Sequence, residues 1–205
     1  MKKTFLVIIL VSTTVLFGGC QKNTTIETNA GTWTTVSTVD HSDFTGAVQT
    51  VLAALKNQDF LILSTFVWPQ GLRFSPYEYV NSGNDVVLDT TLVANAPILS
   101  RSFTWWSYDG SGEPIDLWIG QYFEKFVNDA DYINAPEVLY NQSVQRGNTI
   151  NNIAQTYQGK SWVEFYFSGF DAQYEGIDRK SLTLVFEQVS GQRYVIGIVH
   201  GAWTI

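Results

Sequence analysis

The chain has 205 residues and a formal net charge of −7 at neutral pH, with 12 Lys and Arg against 19 Asp and Glu. That balance excludes an electrostatic nucleic-acid binder, which needs basic charge to neutralise phosphates. A hydrophobic fraction of 45% with seven Trp, ten Tyr and thirteen Phe excludes a wholly disordered chain, and a single cysteine excludes an intramolecular disulfide framework or a multi-thiolate metal site.

The first segment reads as a targeting signal. Lys2 and Lys3 precede an apolar run over residues 5–17, followed by Gly18, Gly19 and Cys20. A basic start, a short apolar stretch and small residues before a cut site describe a secretory signal, and the run falls short of the roughly 20 apolar residues that a membrane span needs. Leu16-Phe17-Gly18-Gly19-Cys20 resembles the bacterial lipobox, with Phe17 standing where an aliphatic residue is usual. The resemblance implies that residues 1–19 are removed and that Cys20 is lipidated on sulfur, anchoring the mature chain outside a bacterial membrane. The alternative is an ordinary signal peptide that leaves Cys20 as a free thiol. Loss of Lys2 and Lys3 takes the net charge from −7 to −9. Residues 20–40, rich in Thr and Asn, are expected to form a flexible tether, and residues 41–205 a single domain.

Within that domain Phe44, Val48, Val51, Leu52 and Leu55 recur at the spacing of an amphipathic helix, with Ser42 or Asp43 as its cap. Asp59 caps a second, more buried helix over 60–67, which stops before Pro69, and Gly71 permits a reversal. The string from Arg73 to Tyr79 is expected to be an aromatic loop or a short edge strand, because Pro76 excludes a central one. Residues 102–108 read as a strand closed by the turn Asp109-Gly110-Ser111-Gly112. Ile119, Tyr122, Phe123, Phe126 and Val127 form another helical stripe, with Asp116 as a candidate cap. The period then shortens to two, giving strands over 138–144, 162–168, 181–187 and 193–200; residues 148–158 connect them, with one helical turn near Ile150 and Ile153. The chain end, Trp203 to Ile205, is expected to be packed and ordered, with Gly201 supplying a bend or bulge so that Trp203 turns back against the core or continues the sheet edge.

Helices early and a strand meander late give an α+β domain. The element order resembles the NTF2-like cone, in which a curved antiparallel sheet and its N-terminal helices enclose a pocket. The strings Gly71-Leu72-Arg73-Phe74-Ser75-Pro76-Tyr77, Tyr108-Asp109-Gly110-Ser111-Gly112-Glu113-Pro114-Ile115 and Trp203-Thr204-Ile205 are similar to those of a group of uncharacterised lipoproteins from Gram-positive bacteria. That resemblance implies a location and a fold, and brings no catalytic residues with it.

Of the two histidines, His41 is a solvated residue ahead of the first helix. His200 ends the last strand on the face of Tyr194, Ile196 and Ile198, where it either acts as a general base in a pocket or is a buried ring bonded to a backbone carbonyl. Glu164 alternates away from Val163, Phe165 and Phe167; facing a pocket, it would be buried with the raised pKa of a catalytic acid. Asp178 is the other candidate carboxylate. The acidic groups Asp171, Glu175 and Asp178, Asp109 and Glu113, and Asp129 and Asp131 lack calcium-loop spacing and read as solvated turns. There is no nucleophile elbow, no zinc-spaced histidine pair and no glycine-rich phosphate loop, so no cofactor or metal is expected.

The aromatic content leaves ligand binding open. Trp105 and Trp106 are adjacent, so on a strand one packs inward and the other lines a groove; Tyr166 is a further candidate platform. Arg73 either pairs internally with Asp109 or Glu113 or holds an anionic ligand. The expectation is a lipid-anchored, extracytoplasmic, non-enzymatic domain that binds a small ligand or an envelope protein. The alternatives are a pocket hydrolase or isomerase using His200 with Glu164 or Asp178, and a glycan or peptidoglycan binder using exposed tryptophans.

Overall fold

The computed structural model describes residues 41–147 and 149–204, together with the backbone of two earlier strands, β1 (Lys22–Glu27) and β2 (Trp33–Thr38). The signal segment, Cys20 and Ile205 lie outside the described residues. β1 and β2 pair antiparallel, so the stretch expected to be a flexible tether contains a hairpin. Its two strings are rich in Thr, with Ile, Val and Trp among them, which are residues that suit a pleated strand.

α1 (Phe44–Lys56) starts where Asp43 accepts hydrogen bonds from the Thr45 and Gly46 amides, and it buries Ala47, Val48, Val51, Leu52, Ala54 and Leu55. These caps satisfy amides that have no partner inside the helix. Asp59 caps α2 (Phe60–Phe66) through the Ile62 amide at 3.0 Å. Gly71, at φ +101°, then turns the chain into β3 (Leu72–Ser75). β4 (Val86–Leu88), α3 (Thr90–Ala94), β5 (Ser102–Ser107) and β6 (Pro114–Trp118) follow. α4 (Ile119–Tyr122) runs on into a π-helical turn over Phe123–Val127, and β7 (Glu137–Tyr140), α5 (Ile153–Thr156), β8 (Ser161–Phe167), β9 (Lys180–Val189) and β10 (Gln192–Ala202) complete the domain.

The main sheet is curved, has six strands and runs β4-β3-β10-β9-β8-β7, with β5 and β6 forming a separate hairpin. All its neighbours are antiparallel except β3 and β10, which pair parallel through Arg73–Gly197, Phe74–Ile198 and Ser75–Val199. Four expectations are corrected here. The Arg73 string is interior to the sheet: the strand ends at Ser75, so Pro76 never has to donate a ladder bond, and β4 takes the edge. Asp116 lies in β6 and accepts from Thr104 Oγ1 at 2.6 Å, while α4 starts where Gln121 Oε1 accepts from the Trp118 amide. The strand expected over 138–144 ends at Tyr140. Finally, β10 stays paired through Gly201 and Ala202, so the chain does not bend back and Trp203 runs past the last strand partner, 40% exposed. What ties the end down is the Thr204 hydroxyl, 2.8 Å from that of Thr149.

The sheet has two covered faces. On one, Leu72, Phe74, Val163, Phe165, Leu182, Leu184, Phe186, Val195 and Ile198 meet α1, α2, Trp105, Tyr122 and Phe123 in the main apolar core. On the other, Val185 and Val199 meet Val80, Ile153 and Tyr157 in a smaller cluster, so the connections before β4 and before β8 strap the back of the sheet. Tyr157 comes close enough that a Cβ at Gly197 would stand 2.5 Å from its hydroxyl and 2.9 Å from its Cζ. Gly197→Ala should therefore lower stability by about 1–3 kcal/mol, the usual cost of overpacking. A urea melt of that variant overlaying the wild-type curve would show that Tyr157 is free to move aside.

Candidate functional site

A β-bulge between Val195 and Gly197 resets the alternation of β10. Val195 and Ile198 face the main core, whereas Ile196 packs with the opposite cluster, so His200 does not share a face with Ile196 as strict alternation predicts. Buried on the core side, His200 meets the edge of Phe126 at 5.4 Å. Its Nδ1 lies 2.9 Å from the Pro76 carbonyl oxygen, which can only accept, so Nδ1 carries the hydrogen. Its Nε2 lies 3.0 Å from Asp129 Oδ2. The same oxygen takes the Lys180 ammonium at 2.6 Å, and Tyr132 Oη donates to Oδ1 at 2.7 Å. Burial alone would raise the Asp129 pKa. Hydrogen bonds from His200, Lys180 and Tyr132, with the His200 charge, bring it instead to about 2. Asp129, expected in a solvated turn, is the centre of a buried polar network.

Glu164 lies on the opposite face of the sheet, buried, where it meets Arg146: Nη2 donates to Oε2 at 3.0 Å and Nε to Oε1 at 3.3 Å. Arg146 also donates to Glu137 Oε1 at 2.7 Å and lies over the Tyr166 ring, 3.3 Å from its centroid. Two carboxylates hold the guanidinium pKa above its usual value against the burial that would lower it. Next to this group Arg179 is buried, donating to the Arg146 carbonyl oxygen at 2.9 Å. Glu78 completes the cluster. It is buried over Gly201, where a Cβ would come within 2.8 Å of Oε1, and its Oε2 has no hydrogen-bond partner among the described residues. Burial pushes the Glu78 pKa up to about 7; Arg179 and Arg146 pull the other way, and Glu164 adds to the rise.

The other candidates are placed as follows. Asp178 stays in the 168–179 loop, accepting from the Phe170 and Asp171 amides at 2.9 and 2.8 Å; burial would raise its pKa, and the backbone hydrogen bonds together lower it. It does not converge with His200. Trp105 is fully buried, stacked on Tyr122 with centroids 3.8 Å apart, and its indole donates to the Leu117 carbonyl oxygen. Trp106 sits at the irregularity in β5, half-buried, and packs partly against the same core. Tyr166 lies under Arg146. Arg73 faces the Ser82 carbonyl oxygen at 3.4 Å, and its charge acts on Asp85. Among the described residues no group of three or more His, Cys, Asp or Glu is placed to hold a metal ion.

Sequence reasoning missed Arg146, Glu78 and Arg179. Nothing local marks them, because each is buried by a connection folding over the back of the sheet. A weak signal existed for Glu164, an acidic residue amid aromatic ones in a strand, whose charge has to be answered somewhere.

No protein-family model matches the chain, and no curated protein matches it. Two solved structures are similar in part. One is a DUF4783 family protein from Bacteroides ovatus ATCC 8483, at 11% identity and a TM-score of 0.35, covering 76% of this chain and 94% of that one. The other is a substituted variant of Rd1NTF2_05, a designed NTF2-like protein, at 13% identity and a TM-score of 0.33, covering 79% of this chain and 100% of that one.

Proposed function

We propose that the protein is a lipid-anchored, extracytoplasmic domain with an NTF2-like cone, of the kind found in uncharacterised Gram-positive lipoproteins, and that it binds an envelope protein without catalysing a reaction. The anchor rests on the leader, Lys2 and Lys3 to Gly18-Gly19-Cys20. The cone rests on element order, helices first and then strands curving over them. One observation carries the non-catalytic reading: His200 and Glu164, the strand residues offered for acid–base chemistry, are engaged internally. Both His200 nitrogens meet acceptors and Glu164 is held by Arg146. The concave side is filled by Trp105, Tyr122, Phe74 and Phe123, all fully buried, which favours a partner on the outer surface over a small molecule inside.

The anchor is tested directly. Cys20→Ser should leave an uncleaved or soluble, unlipidated product, with less of it in the detergent phase on phase separation. Several acyl chains together hold a protein to a bilayer where one does not. Detergent-phase partitioning of that variant equal to wild type would overturn the lipid anchor.

A further inference from the structure

The 168–179 loop, between β8 and β9, is folded in a definite way but turns its large apolar residues outward. Asp178 closes it by accepting from the Phe170 and Asp171 amides; a 3-10 turn over Ala172–Tyr174 follows, and the Ile177 and Arg179 amides donate to the Tyr174 and Gly176 carbonyl oxygens. In this frame Phe170 is 55% exposed, Tyr174 50% and Ile177 55%. Singly exposed apolar residues are ordinary, whereas several on one ordered loop mark an interaction surface. The patch extends along the same end of the sheet. Arg179 and the Thr149 hydroxyl are 3.4 Å apart, and Thr149 is bonded to Thr204, which brings Ile150 (66% exposed) and Trp203 to the neighbouring surface.

Charge selects the occupant. Residues 168–178 contain Asp171, Glu175 and Asp178 and no Lys or Arg. Asp178 is turned inward, its Oδ2 taken by the Phe170 and Asp171 amides and its Oδ1 buried, whereas Asp171 and Glu175 are exposed and have no ion-pair partner among the described residues. An anionic bilayer would be repelled by these two exposed carboxylates, and a second copy would bring the same two charges face to face. A partner surface in which Lys or Arg alternate with aliphatic side chains answers both features, covering the rings and neutralising the carboxylates.

We infer that the 168–178 loop, with Ile150 and Trp203 beside it, is the docking surface for a basic, aliphatic-rich protein segment; this rests on the partner-binding reading above. The probe is a 12-residue alternating Lys/Leu peptide, with an alternating Glu/Leu peptide as control, titrated against the full-length chain in non-ionic detergent. Wild type should bind the Lys/Leu peptide and not the Glu/Leu one. Phe170→Ser/Tyr174→Ser/Ile177→Ser should weaken binding at least tenfold with an unchanged melting temperature, and Asp171→Asn/Glu175→Gln should weaken it and flatten its salt dependence. Equal binding by wild type and the triple variant would overturn the loop's role and leave partner binding standing; no binding of the Lys/Leu peptide by either would count against both. Because the anchor holds both chains to lipid, the membrane outcome is read by competition: displacement of the Lys/Leu peptide from wild type by phosphatidylglycerol added to the detergent micelles would assign the loop to the bilayer instead. A dimer in sedimentation that the triple variant loses would assign it to self-association.

Discussion

Replacing Arg146 with alanine should destabilise the domain by about 3–5 kcal/mol, the cost of leaving one member of a buried ion pair without its partner. The side chains of Arg146 and Glu164 are only 10% and 6% exposed, so water cannot take over solvation of the abandoned carboxylate. The second partner, Glu137, has a side chain 43% exposed and contributes far less. Loss of the stack on Tyr166 adds to the effect, because the guanidinium covers that ring. Adding Glu164→Gln to Arg146→Ala should recover part of the loss, since it removes the stranded charge. Urea denaturation of the two single variants and the double one gives the coupling energy. A loss below about 1 kcal/mol, the range of surface pairs, would mean that the cluster is hydrated and the back of the sheet open.

Glu78→Gln should act in the opposite direction above neutrality. A carboxyl raised from its ordinary range, near 4.3 in peptides, to about 7 in the folded domain binds its proton more tightly when folded than when unfolded. Its effect on stability is therefore nil below about pH 4, grows as a penalty between about pH 4 and 7, and is complete above. At 1.36 kcal/mol per pKa unit the full penalty is about 3–4 kcal/mol. Glu78→Gln should accordingly match wild type at pH 4 and exceed it at pH 8 by up to that amount. Asp129 works with the reverse sign: held at about 2, it stabilises the fold at neutral pH, and that contribution fades as pH falls from about 4 to 2. Chemical melts at about pH 2, 4, 6 and 8 separate the two groups. A Glu78→Gln variant equal to wild type at pH 8 would show that the carboxylate ionises at no cost, and the cluster would then need a solvating partner.

Much of the local structure was legible because its causes are local. Asp43 and Asp59 cap the helices they precede, within three residues of the amides they satisfy. The β9–β10 hairpin follows from two long alternating runs joined at Ser190 and Gly191, both at positive φ. Where a local pattern was read across a discontinuity it failed. The helical stripe from Ile119 was followed back to Asp116, although Pro114–Trp118 is a strand paired with β5. The alternation of β10 was carried through a bulge that only its pairing with β9 makes visible.

Composition and the order of periods, set by residues close together in the chain, were sufficient by themselves to establish an α+β domain, the starts of its first two helices and the long terminal strands. The tertiary structure alone decided which polar groups meet. Arg146 reaches Glu164 from a connection outside the sheet, and Asp129 meets His200 across 71 positions of sequence. Likewise β3 becomes interior only because β10, more than a hundred residues later, pairs parallel to it. The physical reason is common to all three. A buried charge or a strand edge must be satisfied by something, but many residues are chemically able to do so. The partner is chosen by which segments the packing of the apolar faces brings together.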